Sequence, residues 1–563
     1  MSDIIVVKPE KCVGCNACVR NCPAPEANIT KMLEDGRFIT SVNSDKCIAC
    51  GQCLKVCTHN ARDYVDDTRI CMQRLEKDKT IILVSPAIRT ALPNHWVGIL
   101  DWFKSKGCVI FDIALGADIC TWAHLKVMQD QRRIKYISQQ CAAVVKYIET
   151  YQPSIVKNLS PIHSPIGCTV AYIKKYLRRT NPIAVLTPCI AQKNEFIETG
   201  LVEYNVTFNK LMEYFDANGI VIHTNSEDEY EYRFDDMQGQ LGAIYIRPDG
   251  FKNNLQLHDP ELNIYSTEGI SSAYSSIDAY ADTKDSNRPE IMDVISCEYG
   301  CAMGPAADIK SSPFTVMKLI NNLESEAKKR RKTSVFRQAE DKLFKKFDEE
   351  LQVEDFMRTN KPQMTSPIPS DVQLDTVFKM MGKDTDAAKC YDCRACGYNS
   401  CREMATAICR GLNSPNNCII RSKDLLVELQ KGINEQEEKY TEITNKCRDL
   451  FEDLQEKFGN VKTNAVTLEE SSAKTSEKTK VLNDLVTNII IFCKNNDSLN
   501  KEGINQMIVI LETTLKSLQS LDESVGTTNE NFDKISATVD EIKTVIENID
   551  KTLNETANVG VSK

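Results

Sequence analysis

Hydrophobic and polar positions change their rhythm along the chain. Short unbroken apolar runs at 80–85, 108–113, 183–187, 243–246 and 292–296 predict buried strands, and the amphipathic stretch 142–151 predicts a helix between two of them. Strands alternating with helices over 77–345 predict an α/β domain. Residues 346–375 turn first charged and then Pro-rich (KPQMTSPIPSD), the pattern of a linker. From about Asp424 onward Pro disappears and aromatics become rare. Tyr440, Ile443, Cys447, Leu450 and Leu454 step by three and four, as do Phe532, Ile535, Val539, Ile542, Ile546, Ile549 and Leu553. Such a seam predicts a helical tail over 423–563, a coiled coil or bundle that folds back on itself or pairs with a second copy as a homodimer. Weak heptads at 464–480 and 494–503 argue for several helices rather than one rod.

At 563 residues the chain is long enough for several domains. Its 69 basic residues against 79 acidic ones give a net charge of −10, which argues against a nucleic-acid partner. The basic run Lys328-Lys329-Arg330-Arg331-Lys332 reads as a solvated helix face. No stretch approaches the ~20 apolar residues of a membrane span; the most apolar segments, 488–493 and 507–511, are far shorter. The N-terminus lacks the basic and apolar regions of a signal peptide, so the expected location is cytoplasmic. In that setting 24 cysteines point to metal or redox chemistry rather than disulfides.

Spacing narrows the chemistry. Residues 1–76 carry Cys12-x2-Cys15-x2-Cys18-x3-Cys22-Pro23 and then Cys47-x2-Cys50-x2-Cys53-x3-Cys57. Three thiolates in so short a loop can grip one cubane, the fourth coming from the other run. The expected ligand sets are Cys12, Cys15, Cys18 and Cys57 for one [4Fe-4S] cluster, and Cys47, Cys50, Cys53 and Cys22 for the other. Thr58 stands where the first run has Pro23, which affects the turn and not the ligands. The segment resembles a bacterial two-[4Fe-4S] ferredoxin, an α+β head for electron transfer. A third set, Cys393, Cys396, Cys401 and Cys418, lies in 376–422 and resembles a small helical [4Fe-4S] domain with C-G-Y-x-x-C spacing. Cys390 and Cys409 fall off that pattern, although Cys390 could compete as a ligand.

Cys141, Cys189, Cys297 and Cys301 occupy three motifs in the α/β segment, SQQC, TPCIAQKNE and CEYGCAMG. With Ser85-Pro86-Ala87-Ile88-Arg89 ahead of them, these resemble the signature segments of the [FeFe]-hydrogenase catalytic domain. The resemblance implies that the four cysteines hold the cubane of an H-cluster. Cys301 would bridge to a diiron subcluster bearing CO, cyanide and a dithiolate, with H2 and protons as reactants. The departures concern proton delivery. Catalytic members read T-S-C-C-P, so Gln140 stands where a proton-delivering thiol is expected, and a carboxamide cannot relay a proton as a thiol does. The stretch Cys120-Thr121-Trp122-Ala123-His124, where the family carries acidic residues, has no carboxylate, and none follows before Asp130; Ser160, at the position of the family's relay serine, would be stranded. Gln192 replaces a lysine, with Lys193 one residue late, while Glu195 is kept; Ile295 and Ile166 replace a methionine and a glutamine. Cys71, Cys108, Cys120, Cys447 and Cys493 lack cluster spacing and read as small hydrophobes, Cys120 being the one that could approach the site. The histidines show no paired-ligand spacing.

Together these readings predict a multidomain chain, with domains at 1–76, 77–345, 376–422 and 423–563 and a linker at 346–375. The resemblance implies a sensory-type protein that binds or slowly oxidises H2 and relays electrons or a signal to a redox or signalling partner. The tail weakly resembles the signalling helices of methyl-accepting chemotaxis proteins, without their hairpin tip. Two other readings stay open. One is a catalytic hydrogenase with a different proton route; the other is an electron-transfer scaffold without the diiron site.

Overall fold

The computed structural model describes residues 4–466, apart from 25, 131–133, 225–231, 233, 308–311 and 332–341, and scattered positions between 481 and 552. Contacts divide it into two units, Met1–Ser422 and Lys423–Lys563.

In the first unit, the opening strands form two antiparallel pairs. β1 (Ile5–Val7) lies beside β4 (Arg62–Tyr64), and β2 (Asn28–Met32) beside β3 (Phe38–Val42). The larger part carries two parallel sheets. One has the order β6 (Val109–Asp112), β5 (Ile81–Val84), β8 (Ile183–Thr187), β9 (Tyr204–Thr207). The other has the order β10 (Ile264–Glu268), β11 (Ile291–Ile295), β7 (Tyr136–Ile137). Every residue of β5, β8 and β11 is buried, as expected where helices cover both faces of a parallel sheet. The apolar runs at 80–85, 108–113, 183–187 and 292–296 coincide with β5, β6, β8 and β11, and the helix Ala142–Tyr151 has the expected bounds. β7, β9 and β10 are too short or too polar to stand out in the sequence.

The run 243–246 is not a strand. It lies in a buried 3-10 turn, Leu241–Ile246. Its backbone is claimed by the long helix Ile113–Asp130: the Asp118 carboxylate accepts from Gly242 N at 2.6 Å and also from Gln240 N. Gly242 packs so closely that a Cβ there would meet Ala114 O at 2.1 Å. A short apolar run does not by itself separate strand from buried helix.

The segment 346–375 is only partly a linker. Its first residues complete the helix Lys342–Glu350, and Phe347, Leu351 and Phe356 are buried in the same core as Ile81, Phe111 and Trp122. Trp122 Nε1 donates to Asp348 at 2.7 Å. The charged residues there face outward and mask an apolar stripe. Irregular chain, with Met364 and Ile368 exposed, runs from there to the helix Asp371–Met380, which opens on a Ser370–Gln373 capping box.

In the second unit, helix Ile419–Val466 supplies most of the described structure. Cys447 and Leu454 are buried, Ile443 and Leu450 half-buried, and Tyr440 exposed. Ile542, Val545 and Ile549 are buried too, and Lys457 pairs with Glu541 at 2.9 Å. Phe532, Ile535, Val539, Ile546, Leu553 and Cys493 lie outside the described residues. Among those described, no helix is long and apolar enough to cross a membrane.

Candidate metal centre

Parallel strands deliver their loops at one edge, and ligands bind beyond the carboxyl ends. Here Ser85-Pro86 follows β5, Cys189 follows β8, Cys141 follows β7, and Cys297 and Cys301 follow β11. The two sheets bring these ends together: Ala306 N donates to Pro188 O at 2.9 Å, and a Cβ on Gly304 would meet Pro188 O at 2.6 Å. Gly300 turns at φ +85°, where a side chain would be strained, and places Cys301 against its neighbours. The thiol of Cys297 is raised well above its ordinary pKa, first by burial and then by Cys301, Cys189 and Cys141. Cys301 is raised by burial, Cys141 and Cys189. None of these cysteines is in a disulfide.

Four converging buried thiols disfavour their own thiolates unless a cationic centre joins them, so the donor set fits an iron–sulfur cubane. Among the described residues no three His, Cys, Asp or Glu stand close enough to hold a single metal ion. The amide of Gln139 and Oε1 of Gln140, beside Cys141, are buried without hydrogen-bond partners. Unpaired polar atoms at that place fit a polar guest such as the ligands of a diiron unit.

The other site residues are held as follows. Gln140 Nε2 donates to Asp293 Oδ1, and Ser138 Oγ reaches the same oxygen at 3.4 Å. Asp293 is buried in β11. Ser160 is not stranded: its Oγ lies 2.7 Å from His124 Nε2, and His124 Nδ1 lies 2.7 Å from Cys120 O. With Nδ1 donating to that carbonyl, Nε2 accepts the serine proton. Cys120 Sγ is 3.6 Å from His124 Nδ1, and both Cys120 and Cys168 reach His163 O at 3.5 Å. Gln192 Oε1 accepts from Thr187 Oγ1 at 2.6 Å, and that hydroxyl accepts from Cys189 N at 3.1 Å.

Lys193 does not take the place of the missing lysine. One residue along a helix is a turn of about 100°, and Lys193 Nζ points to Asp67, 2.9 Å away. Glu195 is buried, accepts from Ser164 Oγ at 2.6 Å and lies 3.5 Å from the guanidinium of Arg358. Arg358, in the segment read as a linker, was not legible as part of the site. Both side chains of this pair are only 5% exposed. We expect Arg358→Leu to lower stability by roughly 3–5 kcal/mol, because it strands a buried carboxylate; denaturant midpoints of the cluster-loaded protein would show it.

The cysteines at the N-terminus approach the same place. Cys22 is raised to about 12 by burial, with Cys47, Cys53 and Cys18 adding to it, so Cys22 lies by the second run. Cys50 in turn acts on Cys297, and a Cβ on Gly51 would meet Pro305 at 2.4 Å. On the far side, Cys18 and Val19 pack with Cys396, Tyr398, Cys401 and Cys418. Gly397 turns at φ +96° directly over Val19. A small cavity there is lined by Cys393, Cys396, Cys401 and Cys418, and neither Cys390 nor Cys409 lines it.

Residues 78–250 match the family described as the iron only hydrogenase large subunit, C-terminal domain. Residues 11–61 match the 4Fe-4S dicluster domain, and residues 391–420 match a small Fe-S cluster family. Residues 78–250 are thus similar to an iron-only hydrogenase domain. That match spans Cys141 and Cys189 and ends before Cys297 and Cys301. No curated protein matches the chain. Apo [FeFe]-hydrogenase HydA1 from Chlamydomonas reinhardtii is similar at 14% identity over 53% of this chain and 99% of that one, with a TM-score of 0.39. A second HydA1 structure from that alga has 12% identity over the same shares and a TM-score of 0.37. HydA(deltaEFG) has 14% identity, again over 53% and 99%, and a TM-score of 0.38. In this one chain the stretch similar to a hydrogenase domain lies between two stretches similar to iron–sulfur families.

Proposed function

We propose that this is a sensory-type iron–sulfur protein that binds or slowly oxidises H2. In this reading an H-cluster is held by Cys141, Cys189, Cys297 and Cys301; when bound, its diiron unit would supply the chemistry that binds and splits H2. The carrying observation is that four thiols converge beside Gln140, whose amide cannot take up a proton. Electrons would pass through the Cys47–Cys50–Cys53–Cys22 cluster and the Cys12–Cys15–Cys18–Cys57 cluster to the Cys393–Cys396–Cys401–Cys418 cluster, the order in which those cysteines lie. From there a redox or signalling partner, or the C-terminal helices of a homodimer, would receive the output. Hydrogen binding must favour one arrangement of the chain over another to count as a signal.

One observation favours a working hydrogenase instead. Asp293 accepts from Gln140 and acts on the Cys301 thiol, and Ser160 pairs with His124, so titratable groups are present that Gln140 does not supply. Infrared spectra of the anaerobically matured protein, under argon and then H2, test both readings against a scaffold. Carbonyl and cyanide bands that shift with H2 are expected; cubanes without such bands would leave an electron-transfer scaffold. Turnover under H2 then separates sensor from enzyme.

The third cluster has its own check. Cys418→Ala should remove the iron of that domain, whereas Cys390→Ala should leave it; iron and sulfide counts on the full chain read both.

A further inference from the structure

Arg62 is out of place for a ferredoxin-like interior. It sits on β4, is buried, and opposes Val7 across the pair. Its Nη2 donates to Cys18 Sγ at 3.1 Å and to Asn28 Oδ1 at 3.2 Å. Nη1 is buried with no partner. Among the described residues no carboxylate forms an ion pair with it. The same guanidinium acts on the other cysteine run, pulling against burial at Cys53 and Cys47. A buried charge without a counter-ion is among the costliest features a fold can keep. The anion it answers must therefore lie at the cysteines around it, of which Cys18 is in direct contact.

We propose that Arg62 is a counter-ion shared by both clusters of the N-terminal domain, and that it raises their reduction potentials so that this domain retains electrons. Hydrogen bonds to sulfur and net charge are the levers that set such potentials. A positive charge stabilises the reduced, more negative cluster, so both potentials move up. The link to hydrogen rests on the function proposed above. Oxidation of one H2 releases two protons and two electrons, and two one-electron sites match that yield. A domain that fills from one H2 and empties reluctantly is suited to registering the gas rather than to passing current.

The test is a mediated redox titration of the full-length, anaerobically reconstituted chain, followed by electron paramagnetic resonance. It needs neither H2 nor a diiron unit, so it stands if the hydrogen reading falls. Arg62→Met should lower the reduced-to-oxidised ratio of both clusters by about tenfold at a fixed potential, equivalent to about 59 mV for one electron. Iron content should stay unchanged. Arg62→Lys keeps the charge and should recover part of the shift, which a purely structural role would not produce. If Arg62→Met fails to bind iron, Arg62→Lys against wild type carries the test, because the loss of the fork to Cys18 should still lower the potential. Unchanged potentials in the variants that load would overturn the proposal, as would a shift confined to one cluster. If the potentials move but H2 reduces neither cluster, the tuning stands and the hydrogen reading fails.

Discussion

Gln140→Cys should raise hydrogen turnover by roughly 10²–10⁴-fold, the range of a positioned acid–base group. Gln140 directly precedes Cys141, and its side chain is anchored through Nε2 to Asp293 while Oε1 is left unpaired. A carboxamide in that position can orient a neighbour but cannot exchange a proton with it. A thiol is shorter, releases the bond to Asp293 and adds a group that can ionise. Dye-coupled H2 oxidation by the matured variant measures the effect. No rise would mean that the changed contacts at Gln192, Ile166 and Ile295, or the lack of a carboxylate between Cys120 and Asp130, limit the rate as well. A rise would show that Ser160–His124 is not already delivering protons at speed.

What could be read from the sequence followed from chemistry that fixes spacing. A cubane demands thiols at set intervals, so the cysteine runs stand out in one dimension. The apolar strands β5, β6, β8 and β11 stand out because parallel strands bury both faces. The rest depends on partners far apart in sequence. Asp293 sits in IMDVI, an ordinary strand by pattern; its role comes from the loop 138–140 and from Lys252 N packing against it. Arg62 reads as one polar position in a three-residue strand until Cys18 and Asn28 are seen beside it. Lys193 turns toward Asp67 because one residue along a helix is a rotation of about 100°, and the partner of Ser160, His124, lies 36 residues earlier. Phe347 and Phe356 were hidden by the charges around them, and their burial turned an expected linker into core.

Asp293→Asn should remove a pH dependence that wild type carries. Burial pushes the Asp293 carboxyl up to about 7; the N–H of Lys252 works against this, Asp249 adds to it, and Ser138 and Gln140 oppose it. The ordinary aspartate value is about 3.9. Between that value and about 7 the folded chain holds a proton that the unfolded chain has lost. Stability from this group is therefore full below the unfolded pKa, falls as pH rises, and is gone above the folded pKa. A gap of about three units corresponds to roughly 4 kcal/mol at most. Asparagine never ionises, so the variant should gain on wild type by up to that amount between about pH 4 and pH 7, and hold a constant difference above it. Denaturant midpoints of both proteins at pH 5 and pH 8 read the change, and an equal difference at the two pH values would place the carboxyl back in the ordinary range. The same substitution tests proton supply. Asp293 is the titratable group bonded to Gln140, so if residual turnover passes through it, the asparagine variant should lose that turnover together with the pH slope. If the slope goes and turnover stays, the proton travels by Ser160 and His124.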